Sequence, residues 1–223
     1  ITPDSGSYMS NRFVARHVSQ GFGMPVDRQN FYWMAPFTDQ EKESLWHDDF
    51  RPHGTNAATF KPILNSDENF SSIEQLLSQF TRYYLPEDIL TKIDRASMMN
   101  SMEVRAPFLS KEFSEFSLSL PSHWKAHGGK TKILLKKLAE RHLPSNIVHQ
   151  PKHGFGLPLS ALLRGPFKEH VKDVLLDSNN PVAGWFKKPI IESILSSHMD
   201  AGRDHRKKIW TLFILFSVGA RKA

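Results

Sequence analysis

The stretch Tyr84–Leu109 reads YLPEDILTKIDRASMMNSMEVRAPFL, and its pattern decides what the rest of the chain can be. Pro86 suits the first turn of a helix, where its missing N–H costs nothing, and Glu87 and Asp88 follow where the helix dipole favours anions. Ile89, Ile93, Ala96 and Met99 or Asn100 then recur every three to four residues, with Leu90 and Ser97 beside them, so one side of this helix is expected to face a core. The rest is charge. Lys92, Asp94, Arg95, Glu103 and Arg105 fall within fourteen residues, closed by the turn Ala106-Pro107-Phe108-Leu109. The plain reading of that charge is a solvated helix face with intrahelical ion pairs, each contributing a few tenths of a kcal/mol. Against it, Glu103 and Arg105 lie between the apolar Met102, Val104 and Phe108.

Length and composition bound the problem. A chain of 223 residues is long enough to bury a core, and 39% hydrophobic with 23% charged residues is the balance of a soluble globular protein. A formal charge of +6 permits attraction to phosphate-bearing ligands but is too diffuse to imply nucleic acid, which is not expected as a partner. There is no cysteine, so disulfides and thiolate metal sites are excluded. Apolar runs are too short to span a bilayer, and no membrane is expected. Cytoplasmic localisation is the default. Residue 1 is Ile, which suggests a fragment.

Away from the central stretch, the chain reads as helices joined by turns. A short helix is expected around Tyr8–Val18, broken by Gly21–Pro25. Thr38 with Glu41, and Ser71 with Glu74, have capping-box spacing and open helices over Asp39–Trp46 and up to about Tyr84. Between them Asp48–Ser66 reads as a long loop with a single helical turn at most. Ser110 is expected to cap a helix with Phe113 and Phe116 turned inward, and Thr131–His142 reads as a basic amphipathic helix. Further helices are expected at 159–163, 166–176, 189–199 and 206–218. The fold class is mainly α, a compact helical unit without internal repeats.

Two other features bear on chemistry. Lys152 precedes Gly154 and Phe155 in a loop, QPKHGFGLPL; a loop lysine is ordinarily solvated, but an ammonium held near a phosphate stabilises developing negative charge. The histidine sets His142, His149 and His153, and His198 and His205, lack familiar ligand spacing, so no metal site is expected from them. The aromatic residues Trp210, Phe213 and Phe216 recur at helical spacing and read as core.

Together the motifs resemble a known family. The central stretch closely resembles the asparagine synthase signature, Leu-Pro-x-Asp-x-Leu-x-Lys-x-Asp-Arg-x-Ser-Met followed by Glu-Val-Arg-x-Pro-Phe-Leu. Gly129-Lys130-Thr131-Lys132-Ile133-Leu134, Leu143-Pro144-Ser145-Asn146-Ile147 and Lys152-His153-Gly154-Phe155 follow in family order and spacing. The resemblance covers roughly residues 70–218 and residues 1–69 only loosely.

It implies the C-terminal helical part of an α/β ATP-pyrophosphatase-type (adenine nucleotide alpha hydrolase-like) synthetase domain. The implied activity is adenylation of a carboxylate, most simply aspartate, by ATP with Mg²⁺, then amination by ammonia from a glutaminase domain; a homodimer is an assembly it allows. Lys152 would contact the phosphate of the intermediate, and Glu103 matches a glutamate that partners a tyrosine in related β-lactam-forming enzymes. Asp94, Arg95, Arg105 and Gly154 match motif positions that serve in binding or in structural ion pairing. The family's Ser-Gly-Gly-x-Asp-Ser loop and its Ser-Gly-x-Gly-x-Asp-Glu segment are absent, Ser110 replaces a common acidic residue, and an aromatic usual near Ser217 is not kept. A fragment of this kind is expected to bind ATP weakly or not at all. Two alternatives stand: another carboxylate substrate (a sugar, a peptide or a lactam precursor), or a non-catalytic helical binding module.

Overall fold

The computed structural model describes residues 19, 21–24, 26–51, 71–150, 156–200 and 203–220, and they are mainly helical. In chain order come α1 (Val26–Met34) and α2 (Asp39–Leu45), then α3 (Ser72–Gln79), a π-helical run (Phe80–Leu90) and α4 (Thr91–Met98). After a 3₁₀ turn at Pro107–Leu109 follow α5 (Lys111–Ser119), α6 (Ser122–Lys125), the short strands β1 (Ala126–His127) and β2 (Lys130–Thr131), α7 (Ile133–Ala139) and α8 (Ser145–Val148). The last four are α9 (Leu159–Arg164), α10 (Lys168–Leu176), α11 (Lys188–Met199) and α12 (Arg206–Gly219). The expected helix at 8–18 lies outside the described residues, as does most of the expected loop beyond Arg51.

Where the sequence reads as one compact unit, the chain divides into two: Ile1–Thr59 with Gly154–Ala223, and Phe60–His153. In the first, apolar spacing becomes a core. Ile209, Leu212 and Phe216 on α12, Ile191 and Leu195 on α11, Val171 and Leu175 on α10, and Leu163 on α9 are all buried. Each such side chain, fully removed from water, stabilises the fold by about 1.5–3 kcal/mol. Phe216 stacks on Phe186, and Asn180 donates to the Phe216 carbonyl at 3.1 Å while accepting from the Val182 N–H at 3.1 Å. Trp210, expected in the core, sits on the outer side of α12 with an exposed ring.

The N-terminal segment is tied to this core. Thr38 and Glu41 form the expected capping box on α2, and Lys187 N–H donates to the Leu45 carbonyl at 2.8 Å. Glu41 also meets Lys208 of α12. Burial alone would raise the Glu41 carboxyl, but the Lys208 ammonium and the Thr38 N–H outweigh it and hold the group below its ordinary range. On α1, absent from the sequence reading, the Trp33 carbonyl accepts from Lys207 at 3.1 Å.

The second unit is built differently. Its capping box at Ser71 and Glu74 forms as expected, but the helix it opens does not stop before Pro86. α3, the π run and α4 follow without a break, and Pro86 lies inside. A proline ring normally clashes with the carbonyl four residues back; the wider π turn relieves that clash at the cost of poorer hydrogen bonding. Glu87 and Asp88 are therefore mid-helix, without the N-terminal dipole expected for them.

The expected core stripe on this helix is not buried: Ile93 and Met99 are exposed, and so are Phe113 and Phe116 on α5. Among the described residues the principal contacts of this unit join elements close in sequence, and none of those elements covers the stripe. The expected basic helix starts later, at Ile133. Ahead of it Ala126 pairs with Thr131 and His127 with Lys130 across Gly128-Gly129, whose φ values of 56° and 74° suit a two-residue hairpin turn. No described helix is long and apolar enough to cross a membrane.

Candidate functional site

The signature residues sit where α4 ends and irregular chain begins. Its end has the hydrogen bonds of a Schellman turn: Ser101 N–H donates to the Met98 carbonyl and Met102 N–H to the Ser97 carbonyl, both at 3.0 Å. Ser101 holds the left-handed position at φ 55°, a place that usually goes to glycine because a Cβ crowds the backbone there. Beyond it Met102–Ala106 has no regular structure, Ala106 being extended before the 3₁₀ turn at Pro107, and Ser110 caps α5 by accepting from the Phe113 N–H at 3.3 Å.

Glu103 and Arg105, two residues apart in this segment, lie on the same side of it. Arg105 Nε and Nη2 both approach Glu103 Oε1, at 2.8 and 2.7 Å, with both side chains well exposed. An ion pair in that setting contributes about 0–1 kcal/mol, so it orients the two groups more than it stabilises the fold. Asp94 and Arg95 lie on α4, exposed, and neither forms an ion pair among the described residues. Among the described residues the intrahelical pairs of the plain reading are thus not formed there: the charge is solvated, and the pair that exists lies beyond the helix. Lys152 and Gly154 lie outside the described residues. Among the described residues no group of three or more His, Asp or Glu side chains converges as a metal site.

The most buried polar cluster is elsewhere, at the corner between α11 and α12. His198 is fully buried at a core position of α11, and its Nδ1 accepts from the His205 N–H at 3.0 Å. Arg164 donates from Nε to the His198 carbonyl at 2.9 Å and from Nη2 to the Arg203 carbonyl at 3.3 Å; Asp204 pairs with Arg206 at 2.9 Å. Burial first, and then the Arg164 charge, push the His198 pKa below its ordinary value, against the opposing pull of Asp204. His198 Nε2 has no partner of normal geometry, although the Ser160 backbone lies close enough to favour a proton there. Shut off from solvent, with its charged form disfavoured, His198 holds the corner together. The sequence hint was its place in the stripe Ile191, Leu195, His198.

Comparisons with known proteins extend the picture. A family model described as Asparagine synthase matches residues 5–219. The chain is 28% identical over 174 residues to asparagine synthetase [glutamine-hydrolyzing] 1 of Bacillus subtilis, covering 78% of this chain and 27% of that protein. It is 29% identical over 168 residues to a putative asparagine synthetase [glutamine-hydrolyzing] of Mycobacterium tuberculosis, covering 74% and 25%. The chain therefore spans about a quarter of the length of these relatives. No solved structure gives a significant match.

Proposed function

Since this chain belongs to the asparagine synthase family, we propose that it is the helical C-terminal part of a longer cytoplasmic ligase that adenylates a carboxylate with ATP and aminates it. Aspartate, giving asparagine, is the leading substrate, with ammonia derived from glutamine. The observation that carries the reading is the family match over residues 5–219, anchored by the Tyr84–Leu109 stretch.

In this reading Lys152 places its ammonium against the phosphate that gains charge as the acyl-adenylate forms, a point-charge role that lysine suits. Glu103, held by Arg105 on exposed chain beyond α4, faces the acyl substrate and orients a proton donor or the attacking amine. ATP with Mg²⁺ supplies the adenylyl group; the loops that cradle pyrophosphate in the family are not in this sequence, and the chain alone is inactive.

The test is ATP–pyrophosphate exchange by a full-length polypeptide carrying this sequence, with Mg²⁺ and with or without aspartate. Aspartate-dependent exchange that disappears in Lys152→Ala is the expected result. Exchange dependent on another carboxylate would move the substrate, and silence across a panel of carboxylates would sink the ligase reading.

A further inference from the structure

Two side chains hold the corner between α7 and α8. α7 closes at Ala139 and α8 opens at Ser145, with the chain bent between them: the His142 and Leu143 N–H groups both donate to the Ala139 carbonyl, at 3.0 and 2.8 Å. α8 is a single turn and sends no side chain into a core, Ile147 being 49% exposed. One turn of helix has little stability of its own, so its direction depends on what it is tied to. It is tied to the end of α7. His149 Nε2, at the close of α8, lies 2.6 Å from Oε1 of Glu140, at the close of α7. Against a carboxylate the ring nitrogen is the donor, and the separation is short, as in charge-assisted bonds. Glu140 has nearer candidates: Lys136 and Lys137 precede it by four and three residues, the ordinary spacing of helical ion pairs. Its carboxylate turns instead to His149.

We propose that Glu140 and His149 are positioning residues for Lys152, fixing the end of α8 so that the chain leaves it in the direction that brings the ammonium to the phosphate. The inference deepens the ligase reading above and rests on it. Lys152 is three residues beyond His149, a reach of about 11 Å at most. The sequence puts Pro151 within that reach, and a proline ring restricts both its own φ and the residue before it. A connection that short and that restricted passes the orientation of its root to its tip. Misplacing a reacting group by about 1 Å is enough to lose much of its effect on a transition state. The pair is half exposed, at 50% for His149 and 44% for Glu140, so it adds little to the stability of the fold. Its larger effect is on direction.

The experiment is ATP–pyrophosphate exchange by a full-length polypeptide carrying this sequence, measured with Mg²⁺ and the carboxylate that supports exchange. Glu140→Ala and His149→Ala should each lower kcat about fivefold, the size of effect that an exposed ion pair can carry. KM for ATP and for the carboxylate should stay unchanged, because Lys152 acts on the transition state rather than on substrate binding. The double variant should lose no more than either single one, since each removes the same contact. Glu140→Gln, whose carbonyl oxygen still accepts from Nε2, should keep most of the wild-type rate. Melting temperature should stay at the wild-type value in all of them. Glu115→Ala, which removes the exposed Lys111–Glu115 pair on α5, should change neither rate nor melting.

Full kcat in both single variants overturns the proposal. So does a multiplied loss in the double variant, a rise in KM at constant kcat, or a loss of rate that tracks a lowered melting temperature. Each of those results leaves the ligase reading in place, because the wild-type protein still exchanges. Silence of the wild-type protein across a panel of carboxylates, or undiminished exchange in Lys152→Ala, removes the role of Lys152 and the positioning pair with it.

Discussion

In the unit that holds α9–α12, apolar residues at helical spacing end in a core; in the unit that holds α3–α8, residues at the same spacing end in solvent. Ile209, Leu212 and Phe216 on α12 are buried, whereas Ile93 and Met99 on and just after α4 are not. The local pattern is equally regular in both. What differs is the source of the facing layer: the first unit brings together segments far apart in the chain, as Lys208 with Glu41 and Lys207 with Trp33 show. The second makes its main contacts between near neighbours. Periodicity declares that a helix has a side to bury, and only long-range contacts decide whether that side is covered.

Matched truncations in the two units should give the largest difference. Phe216 is fully buried and stacked on Phe186, so Phe216→Ala should cost about 3–5 kcal/mol through lost transfer energy and the cavity left behind. Phe116 is 54% exposed, and Phe116→Ala should cost well under about 1 kcal/mol in the isolated chain. Urea unfolding followed by tryptophan fluorescence in a Trp124→Phe background reports the first unit, because the other four tryptophans, Trp33, Trp46, Trp185 and Trp210, lie there. Exchange rates on α5 report the second. Equal losses for the two variants would break the contrast between a covered and an uncovered stripe.

That contrast also separates what was legible in the sequence from what was not. The capping boxes at Thr38 and Ser71 were readable because every group that makes them lies within four residues. The four C-terminal helices were readable for a similar reason, their apolar stripes being strong and their breaks marked. Burial of the Ile89–Met99 stripe was misread, since nothing in that stretch says which residues oppose it. The π winding around Pro86 escaped because it depends on how a proline clash is relieved rather than on residue preference. His198 was legible as core from its place in the α11 stripe, whereas its spacing from His205 says nothing of a metal. At the candidate site, the nearness of Glu103 and Arg105 follows from their two-residue spacing alone.

Acidification should loosen the first unit in two steps of moderate size. His198 has a folded pKa below 6.5, so the unfolded chain binds the proton more readily. Stability from this group is complete above pH 6.5 and declines as pH falls from there through the folded value. Protonation would also turn Nδ1 from acceptor to donor against the His205 N–H, although the Arg203 carbonyl at 3.2 Å and Asp204 at 3.9 Å offer alternative acceptors. Glu41 adds the second step, since its folded pKa lies below 4.5 and its contribution is lost as pH falls through that lower value. Melting temperature against pH, read by tryptophan fluorescence, should show both declines. His198→Asn, which keeps an acceptor but does not titrate, should abolish the upper one. A wild-type profile flat between pH 7 and pH 5 would contradict the assignment.

The smallest effect expected lies at Ser110, and it bears on how far this chain departs from its family. The resemblance implies an acidic residue after Pro-Phe-Leu, so serine there reads as the loss of a carboxylate. In the structure Ser110 is the N-cap of α5, its Oγ accepting from the Phe113 N–H. A carboxylate caps a helix as well as a hydroxyl does and adds a favourable interaction with the helix dipole. Serine and aspartate are thus interchangeable for this local role. Ser110→Ala should weaken the start of α5 by about 1 kcal/mol, seen as faster exchange of the Phe113 and Ser114 amides, whereas Ser110→Asp should match wild type or exceed it. If pyrophosphate exchange by the full-length protein rises many-fold in Ser110→Asp while amide protection stays level, the carboxylate does more than cap. The departure would then mark a change at the candidate site rather than a neutral swap at a helix end.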